Sequence, residues 1–325
     1  TARSASREGM RPARLVSSLA RPASSAAAAA VSPRRSALYI PGSNLRALEK
    51  AKALPADTLI LDLEDAVAPE SKEVARRQIA EAVRSGAYGR RELVVRINAA
   101  ETAWGRDDIE ALCGRLPEGA RPPTLLLPKA ERVESVEEVL AEASRLGCPR
   151  GTVQLWCMIE TPLGVLAADE LAAHAAVGCL VAGTSDLAAE LRCDGAWEAR
   201  AALLPHLARV VLAARAHGKA CLDGVHLDLA DQAGFEASCA QGRALGFDGK
   251  TLIHPKTLAA ANRAFAPSAA QLEHSRRVVA AFEAAAAGGS ALAVLDGCLV
   301  EELHVHAARR LLALGEAVEA SEAEA

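Results

Sequence analysis

Aromatic side chains are scarce, with four Phe, two Tyr and three Trp in 325 residues. The formal net charge of -4 supplies no basic excess, so the stacking platforms and cationic grooves that hold nucleic acids are missing. No apolar run reaches the length that spans a bilayer. Composition therefore argues against both nucleic acid and membrane as partners. The eight cysteines lie apart, at positions 113, 148, 157, 179, 193, 221, 239 and 298, and form no CxxC. That removes zinc ribbons and thioredoxin-like redox motifs. Most stand in apolar contexts and read as small core residues of a reducing compartment. GxGxxG follows none of the strand-like runs, and GFDGK at 246–250 lacks the phosphate-loop spacing.

What is present is a large core: 51% of the residues are hydrophobic against 24% charged, enough for one large domain or two small ones. The first 36 residues stand apart from it. After Met10 they hold Arg11, Arg14, Arg21, Arg34 and Arg35 among many Ser and Ala, with no acid up to residue 36. This is the composition of an organellar transit peptide, mitochondrial or, as the alternative, plastid; a disordered linker is the plainer reading. At the other end, residues 317–325 form an acidic, Ala-rich tail expected to fray.

From residue 37 the chain alternates short apolar runs with longer helical patterns. The runs are ALYIPG, DTLILDLED, ELVVRIN, PTLLLPK, VQLWCMIE, VGCLVAGTSDL, KACLDGV and GKTLIHP. Between them, segments such as VESVEEVLAEASRLG carry apolar residues at three- and four-residue steps and end on glycine. Continuously apolar strands are buried on both faces, as in a parallel sheet covered by helices. Eight such units predict a (β/α)8 TIM barrel over residues 37–266, with an open doubly wound sheet as the alternative. Residues 267–316 add a C-terminal helical extension and lid.

Barrel active sites sit at the carboxyl ends of the strands. Here those ends carry Tyr39, the Asp62, Glu64 and Asp65 group, Arg96, Lys129, Glu160, Asp186, Asp223 and His254. Glu160 and Asp186 end neighbouring strands, and two adjacent carboxylates repel unless a cation or proton lies between them. With no His or Cys cluster beside them, the donors are all oxygen, which suits Mg2+. A helix N-cap is the plainer reading of Asp186. Arg96, a permanently charged fork on an apolar strand, suits an oxyanion, or a structural pair with the acids of LDLED. Asp62, Glu64 and Asp65 would then orient Arg96 or metal-bound water. The HVH at 304–306 puts two histidines on different helix faces and is no metal pair.

The ordered set LYIPG, LILDLEDAV, VVRIN, LLLPK, IETPLG, GTSDLAAEL, GFDGKTLIHP and FAPS covers nearly the whole chain after residue 32. With it the chain resembles the citrate lyase beta-subunit and malyl-CoA lyase family, including its mitochondrial citrate-lyase-beta-like members. The resemblance implies a Mg2+-dependent lyase that cleaves or forms a C–C bond in a 3-hydroxyacyl-CoA thioester. Citramalyl-CoA, giving acetyl-CoA and pyruvate, is the first substrate it suggests and malyl-CoA the second. It implies Glu160 and Asp186 as the Mg2+ ligands, Arg96 at the thioester enolate, and Tyr39, Ile253 and His254 as substrate contacts. Arg46 falls where relatives direct a basic residue toward CoA, and a homotrimer is the implied assembly.

Two positions depart from the pattern. The family's GxMID supplies an acid/base Asp, where this chain has Gly297-Cys298-Leu299-Val300-Glu301. Glu301 keeps the carboxyl on a longer stem. The second is Pro162 in IETPLG, where relatives carry Ala. Two other readings follow: a class II aldolase acting on 2-keto-3-deoxy acids, indifferent to CoA, or a non-catalytic binder of CoA esters.

Overall fold

The structure, a computed structural model, describes residues 32–114, 116, 121–193 and 197–323. Up to residue 31, the leader read at 1–36 lies outside the described residues.

Eight parallel strands close into a barrel in sequence order: β1 (Ser36–Pro41), β2 (Thr58–Asp62), β3 (Glu92–Arg96), β4 (Thr124–Leu127), β5 (Leu155–Ile159), β6 (Val177–Ala182), β7 (Ala220–Asp223) and β8 (Gly249–Leu252). The ring shuts where β1 pairs with β8, Ala37 opposite Thr251. Side-chain alternation divides β1 to β7 between two apolar layers. Ala37, Ile60, Val94, Leu126, Trp156, Met158, Val181 and Leu222 fill the lumen. Their sequence neighbours, such as Leu38, Leu59, Val95 and Cys157, face the surrounding helices. Those helices are α1 (Leu45–Ala51), α2 (Lys72–Ser85), α3 (Gly105–Cys113), α4 (Val133–Arg145), α5 (Pro162–Ala173), α6 (Thr184–Glu190), α7 (Leu204–Ala216), α8 (Gln232–Leu245) and α9 (Leu258–Phe265). Pro162 has a local explanation. It occupies the first turn of α5, where its missing N–H is no loss, while the Thr161 hydroxyl accepts from Gly164 N.

Beyond the barrel, α10 (Ala269–Ala287), a hairpin of β9 (Ala293–Leu295) and β10 (Cys298–Val300), and α11 (Glu302–Ala323) enclose a small core of their own. The Asp296-Gly297 turn has positive φ at both residues, as a tight hairpin requires.

Two expected boundaries shift. Arg34 and Arg35 belong to the barrel rather than to the leader. Arg34 pairs with Glu92 at 2.6 Å and lies 5.1 Å over the Trp156 ring, closing the barrel floor. Arg35 grips Asp57 with two guanidinium nitrogens at 2.9 Å. The tail's described residues belong to α11, which runs through Ala323, and Glu322 reaches Arg35 at 2.8 Å.

Candidate active site

Parity along the strands builds the mouth of the barrel. Glu160 continues the lumen side of Trp156 and Met158, Tyr39 that of Ala37, Asp62 that of Ile60, and Arg96 that of Val94. Arg96 is 7% exposed and bound by its neighbours. Its Nε and Nη2 donate to the two Asp62 oxygens at 2.7 and 2.6 Å, and its Nη1 lies 2.8 Å from Glu64. Asp65 stands further off, at 3.6 Å. The Tyr39 ring packs 4.9 Å from the guanidinium carbon, and the Tyr39 hydroxyl faces the Met158 sulfur. A guanidinium has five N–H donors, so an arginine held in this way still has donors for a ligand.

Asp62 also accepts the backbone N–H groups of Glu64 and Ala66, which fixes the turn after β2. From below, Lys72 of α2 pins the same turn. Its buried ammonium donates to the carbonyls of Leu63 and Glu64 and to Asn98 Oδ1, at 2.7, 2.8 and 2.7 Å.

Glu160 is 2% exposed. Its Oε1 accepts the backbone N–H of Lys129 at 2.7 Å, and that residue sits in the left-handed region, φ 45°. Left-handed backbone at a non-glycine residue costs energy and gathers at functional sites. The Lys129 ammonium lies 3.4 Å from Glu64. Gly183, just after β6, faces the other side of Glu160: a Cβ there would come within 2.3 Å of Glu160 Cβ and 2.7 Å of Oε2. Burial pushes the Glu160 carboxyl up to about 7, with the Lys129 N–H opposing and the charges of Glu64 and Asp186 adding to the rise. Asp186 stands in the first turn of α6, half-buried. The helix is capped by Gly183 and not by Asp186, whose carboxylate accepts no hydrogen bond among the described residues.

These carboxylates fit a divalent cation of the Mg2+ type. The donors are oxygens only, and two protein carboxylates with room for water and substrate oxygens are its usual set. Among the described residues no group of three or more His, Cys, Asp or Glu converges.

The remaining expected residues are less tightly held. Arg46 is exposed on α1 and pairs with nothing described. Ile253 and His254 follow β8 at the same end of the barrel. Ile253 is exposed, and His254 Nδ1 accepts from Lys256 N, capping a short 3-10 turn. Glu301 sits at the end of the hairpin. Its backbone N–H bonds His304 Nδ1, and its carboxylate makes no contact with Glu160, Asp186 or Arg96 of its own chain. Asp223 does not belong to the mouth. It follows Leu222 on the outward parity and is wholly buried between Lys250 at 2.8 Å and Arg200 at 2.6 Å. Lys129, marked in the sequence only as one more strand-end charge, holds Glu160 from its backbone, and Lys72 gives no local signal at all.

A closed parallel barrel whose mouth gathers acids around one oriented arginine is an enzyme site for oxyanion substrates. The chain belongs to the HpcH/HpaI aldolase/citrate lyase family, whose pattern matches residues 35–255. It is 46% identical over 288 residues to a (3S)-malyl-CoA thioesterase of Cereibacter sphaeroides, covering 89% of this chain and 96% of that one. It is 35% identical to the citrate lyase subunit beta of Escherichia coli, with 87% and 93% covered. Among solved structures, CitE of Mycobacterium tuberculosis in complex with magnesium, acetoacetate and coenzyme A superposes with a TM-score of 0.69. It shares 31% identity and covers 88% of this chain and 99% of that one.

Proposed function

We propose that the protein is a Mg2+-dependent lyase acting on 3-hydroxyacyl-CoA thioesters, with citramalyl-CoA, split into acetyl-CoA and pyruvate, as its substrate and malyl-CoA as the second candidate. The observation that carries this reading is the Glu160–Asp186 pair beside Arg96 at one barrel mouth, in a chain of this family. Mg2+ bound to these carboxylates would polarise the oxygens of the hydroxy acid as a Lewis acid.

The protein groups account for the rest. The hydroxyl proton of the substrate leaves to a base and the C–C bond breaks. Its electron pair passes to the thioester enolate, whose carbon then takes a proton. Arg96, held rigidly by Asp62 and Glu64, offers its remaining donors to the enolate oxygen without reorganising. Glu301 is assigned the final protonation. Among the described residues its carboxylate meets no group of its own mouth; the proposal puts it at the mouth of a neighbouring subunit of a trimer. Arg46 lies outermost, toward CoA. A mitochondrial address remains part of the proposal, on the composition of the leader.

One observation favours a second reading, thioester hydrolysis: the 46% identical relatives are named as (3S)-malyl-CoA thioesterases. The products separate the two: pyruvate under the lyase reading, free thiol without pyruvate under hydrolysis. Under the lyase reading, Glu301→Ala lowers pyruvate release from citramalyl-CoA at least a hundredfold while Glu301→Asp retains it. If Glu301→Ala releases pyruvate at the parent rate, the role assigned to Glu301 is wrong.

A further inference from the structure

Lys129 touches two parts of the mouth at once. Its backbone N–H donates to Glu160 Oε1 at 2.7 Å, and its ammonium lies 3.4 Å from Glu64, the acid that also holds Arg96 at 2.8 Å. The side chain therefore spans the interval between a candidate metal ligand and the oriented arginine. Its base is well anchored: Pro128 before it and Ala130 after it are buried, and Ala130 N–H donates to Met158 O at 3.1 Å. The ammonium itself is open. The side chain is 48% exposed, and among the described residues Glu64 is the only hydrogen-bond partner of the ammonium, which leaves two of its three N–H donors free. An exposed ion pair at that distance adds little to the fold, so stability does not account for a lysine here.

The charge of the mouth gives that ammonium a task. Asp62, Glu64, Asp65, Glu160 and Asp186 outnumber Arg96 and Lys129 even after a divalent ion is counted. A carboxylate entering there meets an excess of like charge unless a cation faces it. Arg96 is nearly buried and already engaged with Asp62 and Glu64, whereas Lys129 is exposed and loosely held. We propose that the Lys129 ammonium binds the carboxylate of the 2-oxo acid half of the substrate, through the N–H groups that Glu64 does not take. The identity of that acid rests on the lyase reading above; the open cation between Glu160 and Glu64 does not. A charge-assisted hydrogen bond of this kind is worth roughly tenfold in affinity or more, and an uncharged isostere of the acid gains little from it.

Pyruvate and its uncharged isostere pyruvamide test this by calorimetric titration of the full chain at saturating Mg2+, with Mg2+ alone titrated as the control. In Lys129→Met, whose backbone N–H still reaches Glu160, pyruvate binding weakens about tenfold or more, while Mg2+ affinity and any pyruvamide binding change less than about threefold. Lys129→Arg, which keeps the cation, holds pyruvate within about threefold of the parent. Parent-like pyruvate binding in Lys129→Met, an equal loss of pyruvamide or Mg2+ binding in that variant, or no pyruvate binding by the parent at millimolar concentration would overturn the proposal. The lyase reading fails on a different result, no pyruvate released from citramalyl-CoA by the parent protein, so the two failures are told apart.

Discussion

Gly183→Ala probes the mouth with a single methyl group. The backbone at Gly183, φ -97° and ψ 82°, is open to any L residue, so the substitution adds no backbone strain. The added carbon would lie 2.3 Å from Glu160 Cβ and 2.7 Å from Oε2. Ordinary contact between such atoms begins near 3.4 Å, so Glu160 or the strand that carries it must retreat by about 1 Å. A displacement of that size near reacting groups costs roughly a hundredfold in rate. A carboxylate drawn away from a hard cation also loses affinity, because Mg2+ tolerates little departure from octahedral geometry. We expect Gly183→Ala to lower kcat/KM about a hundredfold and to weaken Mg2+ binding about tenfold or more, as read by isothermal titration. A double-mutant cycle isolates the cause. Glu160→Ala keeps the Cβ that the new methyl meets but removes the carboxylate it displaces, so the two changes are strongly non-additive in Mg2+ affinity. Parent-like Mg2+ binding by Gly183→Ala, or additive losses in the cycle, would refute the reasoning that Gly183 exists to seat Glu160.

Other consequences follow from the same geometry. With the Glu160 carboxyl raised to about 7, a proton competes with the metal for it, so apparent Mg2+ affinity at pH 6 should fall about tenfold below its value at pH 8; titrations at the two pH values measure it, and no change would count against Glu160 as ligand. The sign for stability is the reverse. In the metal-free protein the raised group favours folding below its unfolded value of 4.5 and loses that contribution as pH rises through about 7, which thermal melts in EDTA across that range detect. Lys72→Met strands three buried acceptors, at Leu63, Glu64 and Asn98. It should cost about 3 kcal/mol in chemical denaturation and lower kcat further by freeing the turn that carries Glu64. Asp223→Asn leaves Lys250 and Arg200 without a buried counter-charge. It should cost about 3–5 kcal/mol, yet leave Mg2+ affinity unchanged in the folded fraction, because Asp223 faces away from the mouth.

Much of the fold could be read from the alternation of apolar runs with amphipathic segments, and each of the eight expected runs overlaps one strand, in order. The site was legible where parity could be counted: Tyr39, Asp62, Arg96 and Glu160 each extend the lumen-facing set of their strand. Asp223 shows the cost of reading strand ends without that count, since it is one step out of phase with Leu222 and turns outward. Other features depend on contacts distant in sequence and give no local pattern. The three bonds of Lys72 and the approach of Gly183 to Glu160 form only once the barrel closes. In sequence, Arg34 and Arg35 group with the leader because their composition matches it. Their partners, Glu92, Asp57 and Glu322, lie 22 to 287 residues away. Glu301 could be located by motif, but its carboxylate meets no partner among the described residues.

The central claim is C–C cleavage at a Mg2+ site held by Glu160 and Asp186. Its most direct test follows pyruvate and free thiol together in one reaction of the purified protein with citramalyl-CoA and Mg2+. The account predicts pyruvate without stoichiometric thiol, abolished by EDTA and by Glu160→Ala. Thiol released without pyruvate, or pyruvate formed undiminished in EDTA, would contradict it.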